Sequence, residues 1–238
     1  MRYQFTGKTQ ASDAHLHGGD VLIKNILIMA ANGQISRLIE NQILNDDQFA
    51  NVHLTLFLRH QSRLAQLAKN PRVTLVEGSL DRLDDVKKAM VDQDFVFVGV
   101  VDHSKGSQQT QNVIAGMKAG HVQRVIYTNV LGIYDEVPGT FGKWNKATIG
   151  NGLPSALKSD QLLEQSGLDY TTLRLPWLND RDVKYQLTHK DETYVGVSGS
   201  RKSVADVVLK IIADPDYLKN DSVGIADPDT AGSDRPVY

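Results

Sequence analysis

The 238-residue chain carries 26 Lys+Arg against 28 Asp+Glu, a formal charge of −2, so no global field draws it to nucleic acid or an anionic membrane surface. It has no cysteine, which excludes disulfide frameworks, thiolate metal sites and cysteine nucleophiles. A chain 41% hydrophobic and 23% charged can build a sizeable core, while its longest apolar stretch, 21–31, is broken by Lys24 and Asn25 and is too short to span a bilayer.

Residues 1–22 are polar and aperiodic and read as an N-terminal extension. His15 and His17 are two apart with no further ligand nearby, so no metal site is expected, and with no hydrophobic block in this segment a cytoplasmic location is expected. Residues 23–238 read as one domain. Within it, β-branched and leucine-rich runs over 25–30, 53–59, 72–77, 94–99, 124–129 and 169–174 alternate with amphipathic segments over 34–44, 62–69, 83–90, 108–119 and 155–165. Strand–helix alternation with right-handed crossovers predicts an α/β three-layer sandwich, a Rossmann-like doubly wound parallel sheet of order 3-2-1-4-5-6. A seventh short strand is read over 193–197 and a last helix over 203–213, giving a small C-terminal lobe before a polar tail.

Ligands of such sheets sit beyond the carboxyl ends of the strands. The first strand runs into Ala30, Ala31, Asn32, Gly33, Gln34, Ile35 and Ser36 and then a helix, a context that offers backbone N–H groups and a helix dipole to a pyrophosphate. Of a G-x-x-G-x-x-G pattern only Gly33 is kept, and the segment reads equally as an ordinary strand-to-helix turn. No acidic residue closes the second strand. Arg59 stands there instead, with Arg63 one turn on, so a 2′-phosphate is the expected partner and NADPH is preferred over NADH; solvated surface charge is the plainer alternative.

With these features the chain resembles the atypical, NmrA-like branch of the short-chain dehydrogenase/reductases, NAD(P)H-binding proteins of the NADH-flavin reductase-like type. The resemblance is carried by the loop 30–36, by Val76-Glu77-Gly78-Ser79-Leu80-Asp81, by 120–127, and by Leu173-Arg174-Leu175-Pro176-Trp177-Leu178. It implies that Ser79 and Leu80 border an adenine, that Gly99 and Val100 pass its ribose, and that Thr128, Asn129 and Pro176 surround a nicotinamide. Ser79 stands where the family commonly has aspartate.

Reductases of that superfamily commonly use a serine after the fifth strand and a Tyr-x-x-x-Lys pair. Here Lys158 is present, Pro154 occupies the tyrosine position, and Thr128 or Asn129 replaces the serine as candidate donor. Without a phenolic acid, ketone chemistry is disfavoured, and hydride transfer to a flavin- or quinone-like small-molecule acceptor is the expected activity. Tyr134 and Trp177 are the candidate substrate residues among the aromatics Tyr134, Phe141, Trp144 and Trp177, which read alternatively as a small core of their own. The stretch 132–152 is read as a lid, and His103 as either an acid or an exposed loop residue. The runner-up is a non-catalytic module that senses NADP(H) and acts through a protein partner.

Overall fold

The computed structural model describes residues 24–238. The expected extension, with His15 and His17, lies outside the described residues. In chain order the elements are β1 (Asn25–Met29), α1 (Gln34–Asn45), β2 (His53–Leu58), β3 (Val73–Glu77), α2 (Leu83–Ala89), β4 (Phe95–Val98), α3 (Gln108–Ala119) and β5 (Arg124–Val130). They continue with α4 (Gly139–Ile149), α5 (Leu153–Glu164), β6 (Asp169–Leu175), β7 (Trp177–Asn179), β8 (Gln186–Thr188), β9 (Ser198–Ser200), α6 (Arg201–Ala213) and β10 (Asp221–Ala226).

Eight strands form one sheet in the order β3-β2-β1-β4-β5-β6-β10-β8. Every pairing in it is parallel except β10 with β8. The predicted order 3-2-1-4-5-6 is therefore present, in three layers. Successive residues of β1 face opposite layers: Ile26 and Ile28 pack with Ile39 and Ile43 of α1 and Val208 and Ile211 of α6, while Leu27 and Met29 pack with Val86, Val113, Met117 and Leu163 from α2, α3 and α5. Both faces are covered at the sheet's centre, so β1 and β4 are apolar almost throughout rather than alternating, and each fully buried Ile or Leu contributes roughly 1.5–3 kcal/mol. Gly116 brings two helices together, since a methyl group there would lie 2.7 Å from Val86 Cγ1. Ser200 caps α6, its side chain accepting from Ser203 N at 2.9 Å.

Four expectations change. The helix read over 62–69 is a 3₁₀ run, Gln61–Lys69, interrupted at Leu64 (φ −119°, ψ 18°); only Leu64 and the partly buried Leu67 anchor it to the core, a narrow hold for an α-helix of this length. The strand read over 193–197 does not form. The seventh place in the sheet is taken by β10, from the tail read as polar, whose Gly224 has no side chain because Tyr194 lies against it: a methyl there would stand 2.3 Å from Tyr194 Cε2. Residues 132–152 are largely the helix α4 rather than a loop, and its Phe141 packs with Leu131, Tyr194, Val197 and Ala226, with Trp144 and Trp177 against them. Those aromatics thus form a third, smaller core beside the two-stranded β7–β9 sheet. Among the described residues no helix is long and apolar enough to cross a membrane.

A candidate dinucleotide cleft

Above the carboxyl ends of β1, β2, β3 and β4 lies a cleft of about 370 Å³. Its floor is the turn from β1 to α1. Ala30 adopts a left-handed conformation (φ 59°), and Gly33 N donates to Ala30 O at 2.9 Å to close the turn. The left-handed residue is therefore Ala30, not Gly33, at a cost of roughly 1–2 kcal/mol that a glycine would not incur. Gly33 is extended (φ −67°, ψ 152°), so what it provides is room: a methyl there would lie 3.2 Å from Ala30 O.

Gly33 is also the N-cap of α1, with no side-chain cap and no acidic residue in the first turn. The amides of Gln34, Ile35 and Ser36 have no helical acceptor by position, and the positive end of the helix dipole faces the cleft. Ser36 is buried and its hydroxyl donates to Ala30 O at 3.2 Å. It replaces a glycine of the pattern because Gly99 leaves space opposite: a methyl at Gly99 would stand 2.4 Å from Ser36 Oγ. One assignment in this loop needs correction. Ala31 is wholly buried and its amide donates to Phe57 O at 3.2 Å, so it holds the turn to β2 and has no donor left for a ligand. Ile35 likewise turns its side chain into the core and offers only its amide, whereas Asn32 lines the cleft and Gln34 is exposed.

Arg59 and Arg63 both line the cleft, with His60 between them. Both arginines are exposed, and neither guanidinium has an acidic partner among the described residues. The nearest acid by topology, Glu77 at the end of β3, accepts from Gln61 N at 3.0 Å. Gly78, Ser79, Leu80, Gly99 and Val100 complete the walls. The close approach at Gly78 is forced by aromatic packing, since a methyl would lie 2.5 Å from Phe57 Cε2. Free amides at a helix start, room at Gly33 and two uncompensated guanidiniums fit a phosphorylated dinucleotide.

The other candidates lie apart from this cleft. Thr128 and Asn129, read as free donors, are 2% and 1% exposed. The Thr128 hydroxyl donates to Val98 O at 3.0 Å, Asn129 Nδ2 donates to Ala156 O at 2.8 Å, and Asn129 Oδ1 accepts from Val130 N at 2.8 Å. These bonds tie β5 to β4 and α5, so both side chains have structural partners instead. Lys158 is exposed, its ammonium beside Gly106, and Pro154 sits in the first turn of α5. Pro176 is buried under Gly199. Trp177 Nε1 donates to Asn145 Oδ1 at 2.9 Å, and its ring lies 5.0 Å from that of Trp144. Tyr134 donates its hydroxyl to Asp160 Oδ2, and burial together with that carboxylate raises the phenol well above its ordinary range.

Sequence reasoning missed three groups. His60, Asp81 and Gln109 line the cleft, and the first two stand just past strand ends, where the topology directs a search. Asp102 is buried and accepts from Ser104 N, Ser104 Oγ, Thr110 N and Thr110 Oγ1 at 2.5–2.8 Å, a knot that joins the loop after β4 to α3. Arg174 is fully buried, paired with Glu136 at 2.6 Å and donating to Thr188 O at 2.7 Å. An arginine inside an apolar run was the one signal for it.

A family model for NAD(P)H-binding proteins matches residues 30–215. No curated protein matches the sequence significantly. Among solved structures, a short-chain dehydrogenase/reductase from Veillonella parvula in complex with NADP is 26% identical, with 91% of this chain and 100% of that one covered at a TM-score of 0.83. A Rossmann-fold NAD(P)-binding family protein from Shigella flexneri is 32% identical over 91% of this chain and 99% of its own, with a TM-score of 0.74. The anaerobillin reductase ChuY from Escherichia coli O157:H7, 19% identical over 88% of this chain and 100% of its own, shares the fold at a TM-score of 0.71.

Proposed function

The chain belongs to the NAD(P)H-binding family, and from that premise we propose that it binds NADP(H) in preference to NAD(H) and works as an oxidoreductase on a flavin- or quinone-like acceptor. The observation that carries the reading is the pair of arginines, Arg59 and Arg63, without an acidic partner among the described residues and on the wall of a cleft whose floor is an uncapped helix start. The NADP in the Veillonella parvula relative supports it.

On this reading the amides at the start of α1 hold the pyrophosphate, Arg59 and Arg63 hold the 2′-phosphate through charge-assisted bonds, and Ser79, Leu80, Gly99 and Val100 enclose the adenosine half. Bound NADPH supplies a hydride. Of the three positions weighed as acids, Pro154 has no side-chain donor, the Thr128 hydroxyl donates to Val98 O, and the buried Asn129 donates from Nδ2 to Ala156 O. A missing general acid forfeits about 10²–10⁴ in rate for an acceptor that must be protonated as it is reduced. A conjugated ring that delocalises the added charge avoids that loss, and the contribution left to the protein is positioning. Oxidation of NADPH in the presence of FMN, menadione or biliverdin tests the activity directly; no turnover across such a panel would refute it.

The internal bonding of Thr128, Asn129, Tyr134 and Trp177 favours a second reading, a module that senses NADP(H) and acts through a protein partner. Tight NADPH binding without turnover is its signature.

A further inference from the structure

The sequence contains two Asn-Gly steps, Asn32-Gly33 and Asn151-Gly152. Before a glycine, the carboxamide carbon of asparagine is open to attack by the next backbone nitrogen, because glycine has no Cβ to hinder the approach and rotates freely. Asn32 is exposed on the lining of the cleft, and its side chain makes no hydrogen bond among the described residues. The turn that holds it is closed by Gly33 N donating to Ala30 O at 2.9 Å. It closes on the left-handed Ala30 (φ 59°), whose strain favours opening. Gly33 itself is extended (φ −67°, ψ 152°), whereas Gly152 is helical (φ −89°, ψ −20°) and its carbonyl accepts from Ala156 N at 3.0 Å. The glycine that gives a pyrophosphate room is thus the one that exposes Asn32.

We propose that Asn32 is a deamidation site that bound dinucleotide shields, an inference whose shielding half rests on the dinucleotide reading above. Gly33 N, released from Ala30 O and deprotonated by hydroxide, attacks Asn32 Cγ. The bond from Cγ to the side-chain nitrogen breaks, and that nitrogen leaves as ammonia with a proton from water, closing a succinimide. Water then opens the ring at either carbonyl, giving aspartate or, with the main chain rerouted through the side chain, isoaspartate. Either product puts an ionised carboxylate beside the start of α1, where it repels a pyrophosphate. Isoaspartate also lengthens the main chain just ahead of the amides of Gln34, Ile35 and Ser36. A dinucleotide held by those amides keeps the turn closed, so the reaction belongs to the ligand-free chain and ends its capacity to bind.

The test is incubation of fresh protein in mildly alkaline buffer with and without saturating NADPH, followed by peptide mass mapping and calorimetric titration with NADPH. Without dinucleotide, position 32 should convert to the acid and its isoaspartyl isomer, faster as pH rises, and the fraction that binds NADPH should fall in step. Saturating NADPH should slow conversion at position 32 about tenfold or more and leave position 151 unaffected. Asn32→Asp should bind NADPH about tenfold or more weakly than wild type. Asn32→Gln, whose longer carboxamide closes a ring less readily, should keep its own starting affinity throughout. An Asn32 that stays intact while the urea-unfolded chain converts overturns the proposal. So does conversion that leaves NADPH binding undiminished or that bound NADPH does not slow. Failure of the fresh chain to bind NADPH overturns the dinucleotide reading and the shielding with it, while conversion at position 32 still establishes the modification site.

Discussion

The contact between α1 and the end of β4 sets the depth of the cleft floor, and Gly99→Ala perturbs it at one point. The new methyl would lie 2.4 Å from Ser36 Oγ, 3.2 Å from Phe97 Cε1 and 3.4 Å from Met29 O. One response is for Ser36 Oγ to swing away from Ala30 O, which forfeits about 0.5–1.5 kcal/mol. The other is for α1 to move outward, with an overpacking cost of about 1–3 kcal/mol. Either way a loss of about 1–3 kcal/mol is expected, lowering Tm by about 3–10 °C in a chain of this size. Ser36→Ala alone removes only its hydrogen bond and should cost about 1 kcal/mol, because Ala30 O still accepts from Gly33 N. In the double variant the colliding oxygen is gone, so the combined loss should fall short of the sum by about 1 kcal/mol or more. Urea denaturation of the four proteins measures this, and NADPH titration should show affinity lost in Gly99→Ala and regained in the double variant. Strict additivity would refute the claim that Ser36 and Gly99 together seat α1 on the sheet.

Arg59→Ala and Arg63→Ala should each weaken NADPH binding about tenfold and leave NADH binding unchanged, as parallel titrations will report; equal effects on both dinucleotides would remove the 2′-phosphate assignment. Burial pushes the Glu40 carboxyl from its ordinary 4.5 up to about 8, with Arg37 opposing. Because that folded value lies above the unfolded one, the stability linked to Glu40 is full below about pH 4.5 and is lost as pH rises toward 8. Glu40→Gln lacks this decline, so between about pH 5 and pH 8 its stability relative to wild type should improve by about 1 kcal/mol or more, and a pH-independent difference in urea denaturation would count against it. Arg174→Met strands the Glu136 carboxylate in the interior and should cost about 3–5 kcal/mol; a thermal-unfolding loss under about 1 kcal/mol would show that the pair is not sealed from water.

Strands β1, β2 and β4 were legible because both layers of helices bury them, leaving near-continuous apolar runs, and β3, β5 and β6 because β-branched residues recur between turn signals. The helix at 108–119 matched end to end, bounded by Gly120. β10 was missed for the converse reason. Gly224 leaves room for the Tyr194 ring, Ser222 O accepts from Arg174 Nη2, and with Asp221, Ser222 and Gly224 the segment reads as part of a polar tail. The short run at 61–69 deceived in the other direction: Leu64 and Leu67 do pack on the core, yet the backbone breaks at Leu64 and leaves a 3₁₀ run instead of an α-helix.

The candidate site divides along the same line. Gly33, Arg59 and Arg63 were visible because a parallel sheet directs its ligand to strand ends, and a residue's place relative to a strand end is a property of the linear chain. Whether a donor at such an end is still available is not. Thr128 and Asn129 have the right side chains at the right positions, and both are engaged by backbone carbonyls; Asp81 and Gln109, 28 residues apart, meet only when α3 packs beside the turn after β3. The amino-acid order by itself determined the sheet and the end of it where a nucleotide belongs, because hydrophobic period and strand polarity are local. Which polar groups remain unpaired there was decided by the tertiary structure, because hydrogen-bond partners are matched across distant segments.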